Sequence, residues 1–197
     1  MNTKSLNLIC DVMANSGKWS ALEISQDSIY LTFKDVELGS PKSGGDCSLT
    51  VRFAQDSFFA AFFNDIWNID FLSKYDYKNQ LLSEEFVFNV KDVKFIDFEY
   101  LNKFFYNFKK DKVISVVEDF DIHNIRNDFF ILVECEEIAI VAGGNQMDFF
   151  TSFERLDDGS LMELSNEWML YFLNYHMKRN IIKDQMCENH PLMYTKK

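Results

Sequence analysis

Twenty-one of the 197 residues are phenylalanine. Most fall in pairs or at regular spacings, as at Phe58-Phe59, Phe62-Phe63, Phe86 and Phe88, Phe104-Phe105, Phe129-Phe130 and Phe149-Phe150. Each ring buries a large area and has few rotatable bonds. A chain that carries so many in patterned segments is constrained to build a dense, ordered core around them. Only two prolines occur, Pro41 and Pro191, and both lie in segments that read as loop or tail. No proline interrupts a patterned run, and no Pro-rich linker divides the chain. One globular domain over residues 1–184 and a flexible tail over 185–197 are therefore expected.

Periodicity predicts an α+β fold, with a mainly antiparallel sheet built from hairpins and three or four packed helices. Leu6, Ile9 and Met13 have helical spacing, so residues 5–15 predict an opening helix ended near Gly17. Trp19 to Ser25 and Ile29 to Phe33 read as strands around a turn at Gln26-Asp27, and Val36 and Leu38 extend the second or begin another. Residues 39–46, GSPKSGGD, read as a loop, and Cys47, Leu49, Val51 and Phe53 as one face of a strand. Asp56 then caps a predicted helix on which Phe58, Phe62 and Ile66 share a face.

Residues 68–83 read as a long connection, and Phe86, Phe88 and Val90 as a strand. Asp97 caps a second predicted helix carrying Phe98, Leu101, Phe104, Phe105 and Phe108, with a basic end at Lys109, Lys110 and Lys112. Val113 to Val117 is a short β-branched run. Phe129 to Cys135 and Ile138 to Ala142 predict a hairpin stopped by Gly143-Gly144. Phe149 to Leu156 and Leu161 to Leu164 predict another, turning at Asp157-Asp158-Gly159. Ser165 opens the longest helical pattern, with Trp168, Phe172 and Tyr175 on one stripe.

Acidic residues outnumber basic ones 31 to 20, for a formal charge of −11. The only arginines are Arg52, Arg126, Arg155 and Arg179. Phosphate backbones are bound by clustered Lys and Arg, so no nucleic-acid partner is expected. An acidic surface instead favours solubility and attraction to a basic partner. Cys10, Cys47, Cys135 and Cys187 are irregularly spaced with no C-x-x-C, which predicts free thiols in a reducing, cytoplasmic compartment. No 18-residue apolar run occurs, and Asp11 breaks the N-terminal apolar stretch, so neither a membrane span nor a signal peptide is expected. The abundance of Lys, Asn, Ile, Phe and Tyr suggests an AT-rich genome, compatible with a bacterium or phage.

Asp119, Asp121 and His123 alternate in EDFDIH. In an extended chain all three point the same way, as a divalent-cation site or a carboxylate/His hydrolase needs. The same alternation is the ordinary pattern of a solvated edge strand with Phe120 and Ile122 turned to a core. Cys187-x-x-His190 and His176 supply two or three ligands, where a closed zinc site takes four. Glu134, Glu136 and Glu137 invite a catalytic reading, but residue 136 is Glu where a D…E-x-K nuclease needs lysine. Nothing selects a glycosidase-type pair of acids. G-x-S-x-G is absent, and GSPKSGGD lacks the spacing of a phosphate loop. No catalytic set, metal or cofactor is expected.

Aromatic stripes belong first to a core. Those beyond what one sheet face can cover form an exposed patch, and such patches mark interfaces. In general character, compact, acidic and without a catalytic motif, the chain resembles small bacterial inhibitor or immunity proteins, which bind a toxin or another effector and block it. The resemblance covers no motif and carries no residue roles. It implies a non-enzymatic module with a basic protein partner, steered by acidic side chains and anchored by aromatics. The alternatives are a hydrolase using Asp119, Asp121 and His123, and a homo-oligomeric structural protein, a homodimer in its simplest form.

The incomplete ligand sets generate a test. A chelator is expected to leave the melting temperature unchanged. A shift of several degrees, restored by one divalent ion, would return Asp119, Asp121 and His123, or Cys187 and His190, to consideration.

Overall fold

Ile29, Leu31 and Phe33 alternate with Tyr30 and Thr32, and the alternation is realised as a strand with one face buried. The computed structural model describes residues 1–39, 48–63, 75–76, 81–82, 87–107, 113–115, 127–136, 138–151 and 154–189. In chain order its elements are α1 (Thr3–Ser16), β1 (Lys18–Ile24), β2 (Ser28–Lys34), β3 (Leu49–Ala54), β4 (Phe58–Phe63), β5 (Tyr75–Asp76) and β6 (Leu81–Leu82). There follow β7 (Phe88–Ile96), α2 (Phe98–Asn107), β8 (Val113–Ser115), β9 (Phe129–Cys135), β10 (Ile138–Gly144), β11 (Gln146–Phe150) and α3 (Asp158–Asn189). The fold is α+β, with an antiparallel sheet and three helices among the described residues.

The strand pairings close on themselves. β2 lies between β1 and β3, β7 between β1 and β9, and β9 pairs with β10. β3 continues into β4, and β10 into β11, across short bends. The two long strands pair along both halves, β3 with β11 and β4 with β10. The result is a six-membered ring, β1, β2, β3/β4, β10/β11, β9 and β7, with β8 beside β4 and the β5–β6 pair beside β1.

The bend sets the shape of this ring. Gln55 and Asp56 take positive φ, 60° and 55°, where L residues rarely sit. Hydrogen bonds hold them there: Gln55 N–H donates to the Asp27 carbonyl at 3.2 Å, and Asn145 N–H to the Gln55 carbonyl at 2.9 Å. Asn145 Nδ2 also donates to Asp56 Oδ2 at 3.0 Å. Gly144 lies against this corner, where a Cβ would stand 2.8 Å from the Ala54 carbonyl oxygen.

Inside the ring, Trp19, Leu31, Phe33, Val51, Phe53, Phe59, Val133 and Ile140 form one continuous core. Trp19 stacks on Phe88, ring centroids 5.4 Å apart. The ring is thus filled with side chains, as small barrels are. A second cluster lies on the outer face of β4, β9 and β10. There Phe58, Ala60, Phe62, Phe130, Leu132 and Val141 pack under Leu101, Phe104 and Phe105 of α2. Phe62 meets Phe104 and Phe105 edge-on, at 5.1 and 4.9 Å.

β1 and β7 pair through Lys18–Asn89 and Trp19–Phe88, beside a bond from Val90 N–H to the Gly17 carbonyl. α1 runs along β7 and sends Ile9, Val12 and Met13 into the core. Asn2 caps it by accepting from Ser5 N–H at 2.9 Å. Gly17 ends it, because a Cβ there would stand 2.3 Å from the Met13 carbonyl oxygen.

Two expectations need correction. Residues 58–63 are a strand, not a helix after Asp56. Phe59 and Ala61 face the ring interior while Phe58, Ala60 and Phe62 face α2, so a strand buried on both sides presents a near-continuous apolar run that imitates helical spacing. β10 does end at Gly144, as the Gly143-Gly144 pair predicts, and the chain bends at Asn145 before β11 begins. Asp157-Asp158-Gly159 is not a hairpin turn. Asp157 Oδ1 accepts from Ser160 N–H at 2.8 Å and Ser160 Oγ accepts from Asp157 N–H at 2.9 Å, a reciprocal cap that starts α3 there rather than at Ser165. α3 extends to Asn189. The 40–46 loop, Phe86, Phe108 and Lys109 to Lys112 lie outside the described residues.

Two-sided burial makes a specific prediction. Phe58→Ala and Phe59→Ala point to opposite faces, yet each is expected to cost roughly 3–5 kcal/mol in urea denaturation. A near-neutral result for either would mean that one face of β4 is not packed.

Candidate functional site

Among the described residues, those singled out by sequence do not assemble into one site. Asp119, Asp121 and His123 lie outside the described residues, as do Glu137 and His190. Glu134 sits on β9 opposite Asp92 of β7, and Lys94 bridges the two. Its ammonium is 3.7 Å from Glu134 and bonded to Asp92, which raises the lysine pKa. All three side chains are more than two-fifths exposed, so this is a solvated ion pair of small energetic weight. His176 stacks on Phe172 at 4.2 Å, one turn back along α3. Cys187 follows eleven residues later on the same helix, and its side chain lies outside those described. Among the described residues no three His, Cys, Asp or Glu side chains group as a metal site requires.

Cys10 and Cys135 are free thiols, both pushed up to about 12 by burial. A bond from the Phe95 backbone N–H acts weakly the other way on Cys10. Neither has the thiolate character of a nucleophile. Cys47 lies outside the described residues.

Asp148 is a buried charge that the sequence pattern did not single out. Its side chain on β11 is 4% exposed and receives three donors. Arg52 of β3 approaches at 3.5 Å, Gln146 Nε2 donates at 2.9 Å, and Arg155 bonds the other oxygen from the returning chain. Arg52 also bonds Ser28 Oγ of β2 and lies over the Tyr30 ring. Two of the four arginines are thus used to fasten β11 to the sheet.

A cavity of about 470 Å³ adjoins this network, lined in part by Leu6, Phe129, Phe149, Asp148, Asp157 and Asp158. Its three carboxylates are all committed. Asp148 holds the arginines, Asp157 caps α3, and Asp158 accepts from Ser5 and from the Asn2 N–H. The bonds from Ser160 lower the pKa of Asp157, and those from Ser5 and Asn2 lower that of Asp158. Their support for α3 is therefore complete above the ordinary value of 3.8 and is lost as pH falls through the lowered values.

The feature that stands apart is α3. It has 32 residues, about 48 Å of helix. Leu161 and Leu164 root its first turns in the core, and the Gly39 N–H bonds the Leu164 carbonyl at 3.0 Å. From Trp168 to Met177 no residue carries a formal charge, and Met169, Leu170, Phe172, Leu173, Tyr175 and Met177 are all exposed, Leu170 to 61%. Of the Trp168, Phe172 and Tyr175 stripe, Phe172 and Tyr175 are exposed and Trp168 is half-buried, so the stripe falls among the surplus aromatics rather than the core. The informative signal was the uncharged run itself, apolar around most of its circumference rather than on one stripe. No described helix is long and apolar enough to cross a membrane. No family model matches the chain, and neither a curated protein nor a solved structure matches it.

The Asp148 network is expected to act on stability. Asp148→Ala, which strands the Arg52 guanidinium, should cost roughly 3 kcal/mol. Arg155→Gln should cost under about 1 kcal/mol, because that side chain is 67% exposed. Equal losses in denaturant titrations would show that Arg155, not Arg52, carries the network.

Proposed function

We propose that the chain is a non-enzymatic protein-binding module, of the inhibitor or immunity kind, that acts by occluding its partner. The observation that carries this reading is the uncovered apolar length of α3, Trp168 to Met177. A helix segment apolar around most of its surface is ordinarily covered by something. Its aromatic and Met side chains are those that anchor protein contacts, Met because it repacks easily. The formal charge of −11 favours a basic effector and a fast, steered encounter with it. The cavity beside Asp148 gives the enzyme reading no support, since its carboxylates serve the fold.

A pull-down from the source cell, followed by kinetics at two salt concentrations, tests this function. The association rate with the recovered effector is expected to fall as the Debye length shortens from about 10 Å at 0.1 M to about 3 Å at 1 M salt. The dissociation rate should change much less. Small-molecule turnover with no stable protein partner would overturn the reading, and an association rate indifferent to salt would remove the electrostatic steering from it.

A further inference from the structure

The uncharged stretch of α3 is flanked by charges in a particular order. Glu163 and Glu167 precede it, Lys178 and Arg179 follow it, and all four side chains are exposed. Among the described residues none of the four forms an ion pair. Glu163 and Glu167 stand at i,i+4, a like-charge spacing that weakens an isolated helix. The helix dipole does not account for this order, because its effect falls off within the first and last turns. Glu167 lies beyond the first turn of Asp158–Asn189, and Lys178 and Arg179 lie well before the last.

Turned about an axis between Phe172 and Leu173, the segment matches itself. Glu167 and Lys178 are equidistant from that point, each about 8 Å along the helix. Two copies of α3 laid antiparallel would set Glu167 of each beside Lys178 of the other, and Glu163 near the same basic end. The exposed Leu170, Leu173 and Met177, which share one face of the helix beside Glu167 and Lys178, would then meet across the middle. A parallel pairing sets Glu on Glu and Lys on Lys. The antiparallel arrangement also closes as a two-fold dimer, leaving no open-ended contact.

Resting on the reading of α3 as a protein-contact surface, we propose that its occupant in the absence of an effector is a second copy of this chain, paired antiparallel through residues 163–179. The contact joins a charged rim to an apolar centre, the usual anatomy of a protein interface.

Sedimentation equilibrium of the full chain over a range of concentrations tests this, with circular dichroism as the folding control. The wild type should dimerise. Leu170→Asp combined with Leu173→Asp should abolish the dimer while leaving the helix signal intact, since both side chains are exposed. Glu167→Lys alone and Lys178→Glu alone should each weaken it by at least about tenfold. The two charge reversals in one chain should restore it, because each copy then meets the exchanged partner charge. A wild-type chain that stays monomeric overturns the dimer, as does a dimer indifferent to these substitutions. If that monomer binds another protein in a way lost with the Leu170 and Leu173 substitutions, the contact-surface reading survives. If residues 168–177 of the monomer are protected from hydrogen exchange by its own chain, or bind phosphatidylcholine vesicles, both readings fail.

Discussion

The structure depends on the burial of β4 from both sides. Six residues, Phe58 to Phe63, carry Phe59 and Ala61 into the ring and Phe58, Ala60 and Phe62 out to α2. The same strand pairs with β10 on one edge and β8 on the other. The interior core and the outer cluster therefore share one backbone, and neither can loosen without disturbing the other. The alanines at 60 and 61 let large rings sit on either side without crowding, the complementarity that close packing demands.

Electrostatics acts at the edges of this scaffold. Asp148 gathers arginines from β3 and from the returning chain, and so fixes the strand that precedes α3. The Leu156 N–H bonds the Phe149 carbonyl at 2.7 Å, and Asp157 then caps the helix. Asp158 reaches back to the N–H of Asn2 just before α1. The base of α3 is therefore held from several directions. The exposed part leaves the body in a set direction, and a surface held in advance loses less conformational entropy on binding.

Much of the sheet was legible because half-buried strands advertise themselves. Ile29 to Phe33 follows the period-2 rule, the 129–142 hairpin shows as two apolar runs around Glu136-Glu137, and Asp97 caps α2 by accepting from Tyr100 N–H at 2.7 Å. β4 was not legible, because local spacing cannot distinguish two buried faces of a strand from one face of a helix. The start of α3 was misread because Asp-Asp-Gly is as good a turn as it is a cap, and only the Ser160 geometry decides. The closure of the ring rests on pairings between the two halves of the chain, which no local pattern contains. The uncharged stretch of α3 was visible as residues but not as exposure, since exposure depends on what the rest of the fold covers.

Ring closure also bears on how the chain comes to be folded. Phe63 pairs with Ile138 and Thr50 with Phe150, so β3 and β4 have no partner on one edge until the last strands emerge from the ribosome. Partners so distant in sequence are slow to meet. Until then the rings of β4 face water on both sides, on a nascent chain with an unpaired strand edge. The same residues that stiffen the finished protein are the apolar surface that an incomplete chain has yet to bury.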